Sequence, residues 1–353
     1  MNRSLPISRR RLLGGTSAGL AAVTLGCGKR QAKNSLSLLT WGNYLAPAVI
    51  EGCRRELGVE VVQDFFLAEA EMAAKLRAGA THDLAATIDY LLSSLQRDGL
   101  ISPLPAELKG RENLAEDFPF WEARADRGGG LYGMPYLWGT TGIGYDVEKV
   151  GEIDSWAALF DERWKGRITV LDSKGDVMDQ GLLAAGMDIN SIEKDRIRNE
   201  VYPALQRQRE LVRAYDSNPA AALVRGDVWI AQIDSGDLLQ ARAQRPSLRY
   251  VIPKEGAARW TDYLVVPAKS PGRDAARSFL EYLLRPEVAA ANANYLRFAT
   301  PNARALAEGK IDDADDPNIY PPPAVRERLF ESENWAGNTG KLVDELWLQL
   351  RAG

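Results

Sequence analysis

Short apolar runs alternate with helical segments from Leu36 onward, and this alternation restricts the possible folds more than any other feature of the sequence. One of the helical segments opens with Pro47, a residue favoured in the first turn of a helix. The pattern predicts, in chain order, alternating strands and helices at residues 36–41, 47–57, 59–65, 69–78, 83–87 and 91–98. Strands separated by single helices are typical of an open α/β sheet with parallel strands.

The same alternation returns in the second half of the chain. It predicts strands at 138–146, 167–171, 228–233, 248–252 and 260–266, and helices at 176–185, 191–214, 237–243 and 272–284. Two α/β lobes joined by extended crossovers, with a cleft between them, fit this pattern better than one continuous sheet. The predicted boundaries are residues 36–138 plus 263–305 for lobe 1 and residues 139–262 plus 306–353 for lobe 2.

The N-terminal residues have the layout of an export signal. A basic head, Ser8-Arg9-Arg10-Arg11-Leu12-Leu13, resembles a twin-arginine signal, and the apolar stretch after it is too short to span a membrane. The stretch ends in Thr24-Leu25-Gly26-Cys27, which resembles a lipoprotein cleavage box. We predict a signal peptide at 1–26, lipidation of Cys27 and a linker at 27–35. Ordinary cleavage nearby, leaving an unlipidated protein, is the alternative.

Charge and residue usage exclude several classes of function. The chain has 44 basic and 48 acidic residues, and removing residues 1–26 leaves 40 and 48, a net charge of −8. That sign argues against a nucleic-acid partner and favours cationic ligands. The single His82 excludes multi-histidine metal sites, so we expect neither metal nor cofactor. Cys53 is expected to be a buried apolar residue, or to form a disulfide with Cys27 if Cys27 stays unmodified.

The residues that follow the predicted strands are the first candidates for a binding site. Ligands of open α/β sheets bind at the carboxyl ends of the strands. The first strand is followed by the run Trp41-Gly42-Asn43-Tyr44, and the third strand by Ile88-Asp89-Tyr90. Aromatic side chains therefore meet acidic and amide groups where a ligand would lie.

Several short motifs, in order and spaced along nearly all of the chain from Leu36 to the C terminus, resemble one known family. It comprises the spermidine/putrescine-binding components of bacterial ABC importers. The resemblance implies the type II periplasmic-binding-protein fold, a polyamine as ligand and an ABC permease as partner. The motifs are Leu39-Thr40-Trp41-Gly42-Asn43-Tyr44, Met134-Pro135-Tyr136-Leu137-Trp138-Gly139, Ile252-Pro253-Lys254-Glu255-Gly256 with Trp260 and Asp262, Leu284-Arg285-Pro286-Glu287-Val288-Ala289, and Thr300-Pro301-Asn302.

A polyamine requires carboxylates for its ammonium groups and aromatic walls for its methylenes. The resemblance places Trp41, Tyr44 and Tyr90 among the walls. It also assigns Trp260 and Asp262 to a Trp-x-Asp motif whose acid binds an amine. Asp172 and Asp176 lie in the segment where members of the family carry a second acidic pair. The first acid of that family pair aligns more strictly with Ser173 of this chain.

Two departures from the family pattern bear on the ligand. Asp234 occupies the position of a family tryptophan, and Phe298 that of a tyrosine. The exchange removes one aromatic wall and adds one carboxylate. Asp234 therefore either holds an additional amine or indicates a ligand that is shorter or more polar than spermidine. We include both residues among the predicted ligand-binding positions.

The predicted function is that of a monomeric, non-catalytic receptor outside the cytoplasmic membrane, held there only by a lipid anchor. It would bind its ligand between lobes that close by a hinge near 138–141 and 260–262, and deliver it to the permease. Alternative ligands are another organic cation or an amino acid, and an alternative partner is a signalling protein. A hydrolase would need a nucleophile and a base in reach, and His82 lies outside the predicted cleft.

Overall fold

A computed structural model describes residues 34–115, 130–333, 335 and 337–352. Its framework is a β-sheet of eleven strands within these residues. The predicted leader, Cys27 and most of the linker lie outside the described residues. The strands, β1 to β11 in chain order, are Ser35–Thr40, Glu60–Phe65, Leu84–Ile88, Ile101–Ser102, Met134–Asp146, Ile168–Leu171, Val212–Asp216, Ile230–Asp234, Leu248–Val251, Ala257–Pro267 and Leu329–Phe330.

Helices connect most of these strands. In chain order, α1 to α14 are Pro47–Leu57, Glu69–Arg77, Asp89–Arg97, Val147–Val150, Lys174–Ala184, Lys194–Arg196, Tyr202–Arg209, Pro219–Arg225, Ser235–Arg242, Arg273–Leu283, Pro286–Leu296, Ala303–Ala307, Pro323–Arg326 and Gly337–Ala352. Within the described residues, no helix combines the length and the apolar character that crossing a membrane requires.

The strand order is β2-β1-β3-β10-β5-β8-β6-β7. Strand β1 runs parallel to β2 and β3, and β6 runs parallel to β7 and β8, as the strand–helix alternation predicted. The two parallel groups are connected through β10 and β5, which pair with each other in antiparallel orientation. The fold class, mixed α/β with long crossover strands, is confirmed.

Two predicted features of the second half need correction. The helix predicted at 191–214 ends at Arg209, and Val212–Asp216 is a strand that pairs with β6. Its short length left helix and strand equally compatible with the local pattern, and pairing with β6 decided the outcome. The sheet is also hydrogen-bonded without interruption from β2 to β7, because β5 and β10 pair along the crossover instead of separating two sheets.

Two large hydrophobic cores lie along this sheet. One contains Leu38, Leu84 and Phe279, packed around β1, β3, β10 and the helices α1 and α10. The other contains Ile143 and Trp156 with the buried faces of α5, β6 and β8. The crossover strands β5 and β10 contribute residues to both cores, so their side chains are held where the two meet. The exact lobe boundaries stay a prediction.

Candidate functional site

Asp262 lies on β10 with only 6% of its surface exposed. The hydroxyl of Tyr44, which follows β1, donates a hydrogen bond to Asp262 Oδ2. Tyr44 is held in turn, because its carbonyl accepts a bond from Tyr136 Oη (2.8 Å), and that hydroxyl accepts one from Asn292 Nδ2 (2.7 Å). The Asp262 carboxylate is therefore buried and oriented by a neutral partner.

Aromatic rings pack against Tyr44 in the core that lies around β1, β3 and β10. The centroids of the Trp41 and Tyr44 rings are 5.2 Å apart, and those of Tyr44 and Tyr136 are 5.3 Å apart. Trp41 also packs on Phe66, with centroids separated by 4.6 Å. Such tilted aromatic pairs stabilise one another and leave an apolar wall beside Asp262.

A second acid of the candidate site, Asp234, lies at the end of β8 and, like Asp262, accepts hydrogen bonds from neutral groups. Its Oδ1 accepts bonds from Thr141 Oγ1 (2.7 Å) and from Trp260 Nε1 (3.1 Å). The Trp260 ring packs edge-on against Phe298, with centroids 5.3 Å apart. Gly139 allows this arrangement, because a Cβ there would lie 2.5 Å from the Trp260 ring. The structure thus brings Asp234, Trp260 and Phe298 together.

Tyr90 and Asp176 are two further predicted positions, and the charge of Asp176 acts on the Tyr90 phenol. Burial and the surrounding negative charges of Glu69, Asp176, Asp89 and Asp179 raise the pKa of the Tyr90 phenol. Asp176, on α5, has a pKa raised by burial, although bonds from Ser173 and Thr141 oppose the shift.

The carboxyl groups of the site share one electrostatic feature. Burial raises the pKa of Asp234 and of Asp262, and each is raised further by negative neighbours. Burial also raises the pKa of Asp237 to about 6. Among the described residues, no lysine or arginine contributes to the pKa shifts of Asp234, Asp237 and Asp262. Negative charge is therefore concentrated here without a protein cation to neutralise it.

These shifts predict how the empty protein responds to pH. Because the folded-state pKa values lie above the ordinary 3.8 of aspartate, the folded protein binds protons that the unfolded chain has released. Stability from these groups therefore falls as pH rises from about 4 through the raised values. We expect ligand-free protein to melt a few degrees higher at about pH 5.5 than at about pH 7.5. A thermal melt series in matched salt measures this. A melting temperature that rises over the same interval would contradict it.

Asp172 is the predicted site residue that the structure does not bring to this cluster. Its Oδ2 accepts a bond from Arg351 Nη2 (3.2 Å), whose guanidinium also lies over the rings of Tyr215 and Trp347. Helix α5 begins at Lys174, two residues beyond Asp172. Asp172 therefore precedes the helix that directs Asp176 toward the cluster and is exposed beside the C-terminal helix instead.

Three acidic residues of the cluster, Glu69, Asp179 and Asp237, were missed in the sequence, whereas Asp89 was among the candidates that follow the third predicted strand. Glu69 and Asp89 begin the helices after β2 and β3, and Asp237 lies in the helix after β8. Asp179 lies three residues beyond Asp176 on α5. The signal that points to Glu69 and Asp237, as it did to Asp89, is their place beyond the carboxyl ends of strands, where ligands of α/β sheets bind.

Comparison with known families gives one match that covers most of the chain. Residues 50–319 match the model of a family described as bacterial extracellular solute-binding proteins. Among curated proteins, the chain is 30% identical to the putrescine-binding periplasmic protein of Escherichia coli, over 98% of this chain and 99% of that one. It is 28% identical to the spermidine/putrescine-binding periplasmic protein of the same organism, over 96% and 97% of the two chains.

Solved structures give the same result for the fold. The substrate-binding protein of a spermidine/putrescine ABC transporter from Streptococcus pneumoniae is 26% identical and has a TM-score of 0.78 over 90% of this chain and 99% of that one. A protein from Listeria monocytogenes, assigned to a spermidine/putrescine ABC transporter, is 29% identical with a TM-score of 0.82 over the same shares. The type II periplasmic-binding-protein fold predicted from the sequence is confirmed.

Proposed function

This chain belongs to the family of bacterial extracellular solute-binding proteins, and we propose that it captures a polyamine and delivers it to an ABC permease. Its similarity to putrescine- and spermidine/putrescine-binding proteins extends over nearly the whole chain. A solved relative is the substrate-binding protein of a spermidine/putrescine ABC transporter, which supports a receptor without catalytic activity.

The observation that carries the proposal is the environment of Asp262. The carboxylate is buried and bonded by a neutral phenol, and aromatic rings stand beside it. A buried carboxylate without a cation is costly, and a ligand ammonium supplies the missing charge. Aromatic rings add about 0.5–2 kcal/mol for each ammonium they face and cover the methylenes between.

We further propose that the ligand is enclosed between the predicted lobes, with Trp41, Tyr44, Tyr90 and Phe298 contacting it from lobe 1. Asp176, Asp234 and Trp260 would contact it from lobe 2. The long antiparallel pair β5 and β10 would act as the hinge. The position of Glu69 supports this, because its charge acts on the pKa of both Tyr90 and Asp262.

A thermal-shift screen tests the ligand class. Purified protein is melted with putrescine, spermidine, spermine, agmatine, a set of amino acids, an organic anion and a sugar, each in excess. A ligand present at about 100 times its Kd stabilises the folded protein by about 2.7 kcal/mol. We expect a shift with an amine of two or more charges and none with neutral amino acids. A shift with an anion or a sugar alone would overturn the ligand assignment and leave the fold unaffected.

Export and anchoring are part of the proposal and concern residues outside the described ones. We propose twin-arginine export of the folded, monomeric receptor, cleavage before Cys27 and acylation of its thiol. The relatives' periplasmic location supports an extracytoplasmic one here. Mass spectrometry of the mature N terminus from cell membranes would identify a diacylglyceryl group on Cys27, and an unmodified N terminus there would refute the anchor.

A further inference from the structure

A glutamine on α9 is hydrogen-bonded to two separate segments of predicted lobe 1. The side-chain nitrogen of this residue, Gln240 Nε2, donates to the Leu296 carbonyl (2.7 Å), and Gln240 Oε1 accepts a bond from Asn43 Nδ2 (3.1 Å). Both partners belong to predicted lobe 1, whereas Gln240 belongs to predicted lobe 2. The two bonds, made by one amide group, therefore form a clasp across the predicted boundary between the lobes.

On the side of lobe 1, both partners of the clasp adjoin predicted ligand-binding residues. Asn43 immediately precedes Tyr44, which bonds the buried acid of the site. Leu296 is the last residue of α11 and lies two positions before Phe298. Gln240 thus contacts the two segments that present these aromatic rings, close to where each ring is attached.

On the side of lobe 2, helix α9 connects the clasp to an acid of the site. The helix begins at Ser235, directly after Asp234. Gln240 follows Asp234 by six residues, which is about 9 Å along the axis. The first turn of the helix also lies close to Phe298, because a Cβ on Gly236 would be 2.5 Å from that ring. Helix α9 is therefore held against lobe 1 in both its first and its last turn.

The backbone is in an unfavourable conformation at both partners of the clasp. Among the described residues, Asn43 and Arg297 are the two that combine a side chain with a positive φ, at 54° and 61°. Asn43 itself donates to Gln240, and Arg297 directly follows Leu296. Left-handed backbone is disfavoured for residues other than glycine, and such conformations concentrate at functional sites. Two distant segments therefore adopt an unfavourable backbone where they meet Gln240.

We propose that Gln240 is a positioning residue for ligand binding, and that the clasp forms as the lobes close on an amine and slows its release. The inference rests on the proposed function and on closure about β5 and β10. Bonds that exist in the closed form alone stabilise that form relative to the open one and so increase affinity. Because the lobes must open before the ligand leaves, the effect falls on the dissociation rate. The clasp joins protein segments to each other, so it acts equally on a diamine and a triamine.

Stopped-flow tryptophan fluorescence with putrescine and with spermidine tests the clasp in the Gln240→Met variant. Methionine keeps the length of the side chain and removes both hydrogen bonds. We expect the dissociation rate of each amine to rise by about fivefold to 30-fold, with the association rate within about twofold of the wild type. The melting temperature of the ligand-free variant should equal that of the wild type. Gln244→Met is the matched control, because it makes the same exchange four residues farther on at an exposed position; it should change none of these quantities.

A second variant tests whether Asn43 acts through Gln240. Asn43→Gly removes one bond of the clasp at a position whose positive φ glycine adopts readily. Alone, it should raise the dissociation rates by about twofold to fivefold. Combined with Gln240→Met it should add nothing, since both exchanges remove the same bond. Additive effects would mean that the two side chains act independently, which would overturn the clasp.

Three further results would contradict the clasp while the proposed function stands. The first is an unchanged dissociation rate in Gln240→Met. The second is an effect on one amine alone, because Gln240 would then contact the ligand. The third is a lower melting temperature of the ligand-free variant without faster release, which would make the bonds part of the fold only. Failure of both amines to bind the wild-type protein would instead overturn the proposed function, and the clasp with it.

Discussion

Replacing Asp262 by asparagine should abolish high-affinity amine binding and leave a protein that melts at a higher temperature than the wild type. The side chain keeps its shape and can still accept the Tyr44 hydroxyl, so only the charge is lost. Removing one partner of a buried, hydrogen-bonded charge pair costs about 2–5 kcal/mol, which weakens Kd by about 30-fold to 4,000-fold. Stability should rise because burial, which raises the pKa of Asp262, no longer opposes a negative charge.

Calorimetry with spermidine and putrescine, together with thermal melts without ligand, measures both effects. Asp154→Asn is a suitable control, because Asp154 is exposed and pairs with Lys254; it should change neither quantity. A Kd within about threefold of the wild type would show that Asp262 does not bind the amine. Lower stability of Asp262→Asn would show instead that the carboxylate supports the fold.

Truncation of Trp260 to alanine is the second large expected effect. The ring contacts Phe298 and donates to Asp234, so the variant removes an aromatic wall and one donor from a partly buried carboxylate. Loss of a cation–π contact of about 0.5–2 kcal/mol, together with the apolar cover of the methylenes, predicts binding weaker by about 10-fold to 100-fold. Titration calorimetry at neutral pH measures this.

Trp260→Phe separates the two contributions of the side chain. It keeps a ring that covers the ligand and removes the Nε1 donor, so we expect a smaller loss of affinity than in the alanine variant. It should also raise the pKa of Asp234 further, because the bond from Trp260 lowers it. Binding should therefore decline at a higher pH than in the wild type as the buffer is acidified. Equal losses in both variants would mean that the donor, and not the ring, determines affinity.

The sequence predicted the elements of the first half of the chain to within one or two residues at most of their ends. Pro47 and the alternation of apolar runs with helices define these elements locally. The prediction from sequence was wrong at Val212–Asp216, where a short segment becomes a strand only because β6 lies beside it. The same limit applies to the site. Trp41, Tyr44, Trp260 and Asp262 follow from motifs, whereas the contribution of Glu69 depends on which charges face it across the molecule.

By itself, the sequence determined the order of strands and helices, the excess of acidic residues and the motifs that carry Asp262 and its aromatic neighbours. Tertiary structure alone decided which acids face each other. Asp172 and Asp176 are four residues apart, yet one pairs with Arg351 and the other joins a cluster with Asp234 and Tyr90. The reason is physical: electrostatic coupling and burial depend on distances between segments far apart in the chain, and only packing of the two cores fixes those distances.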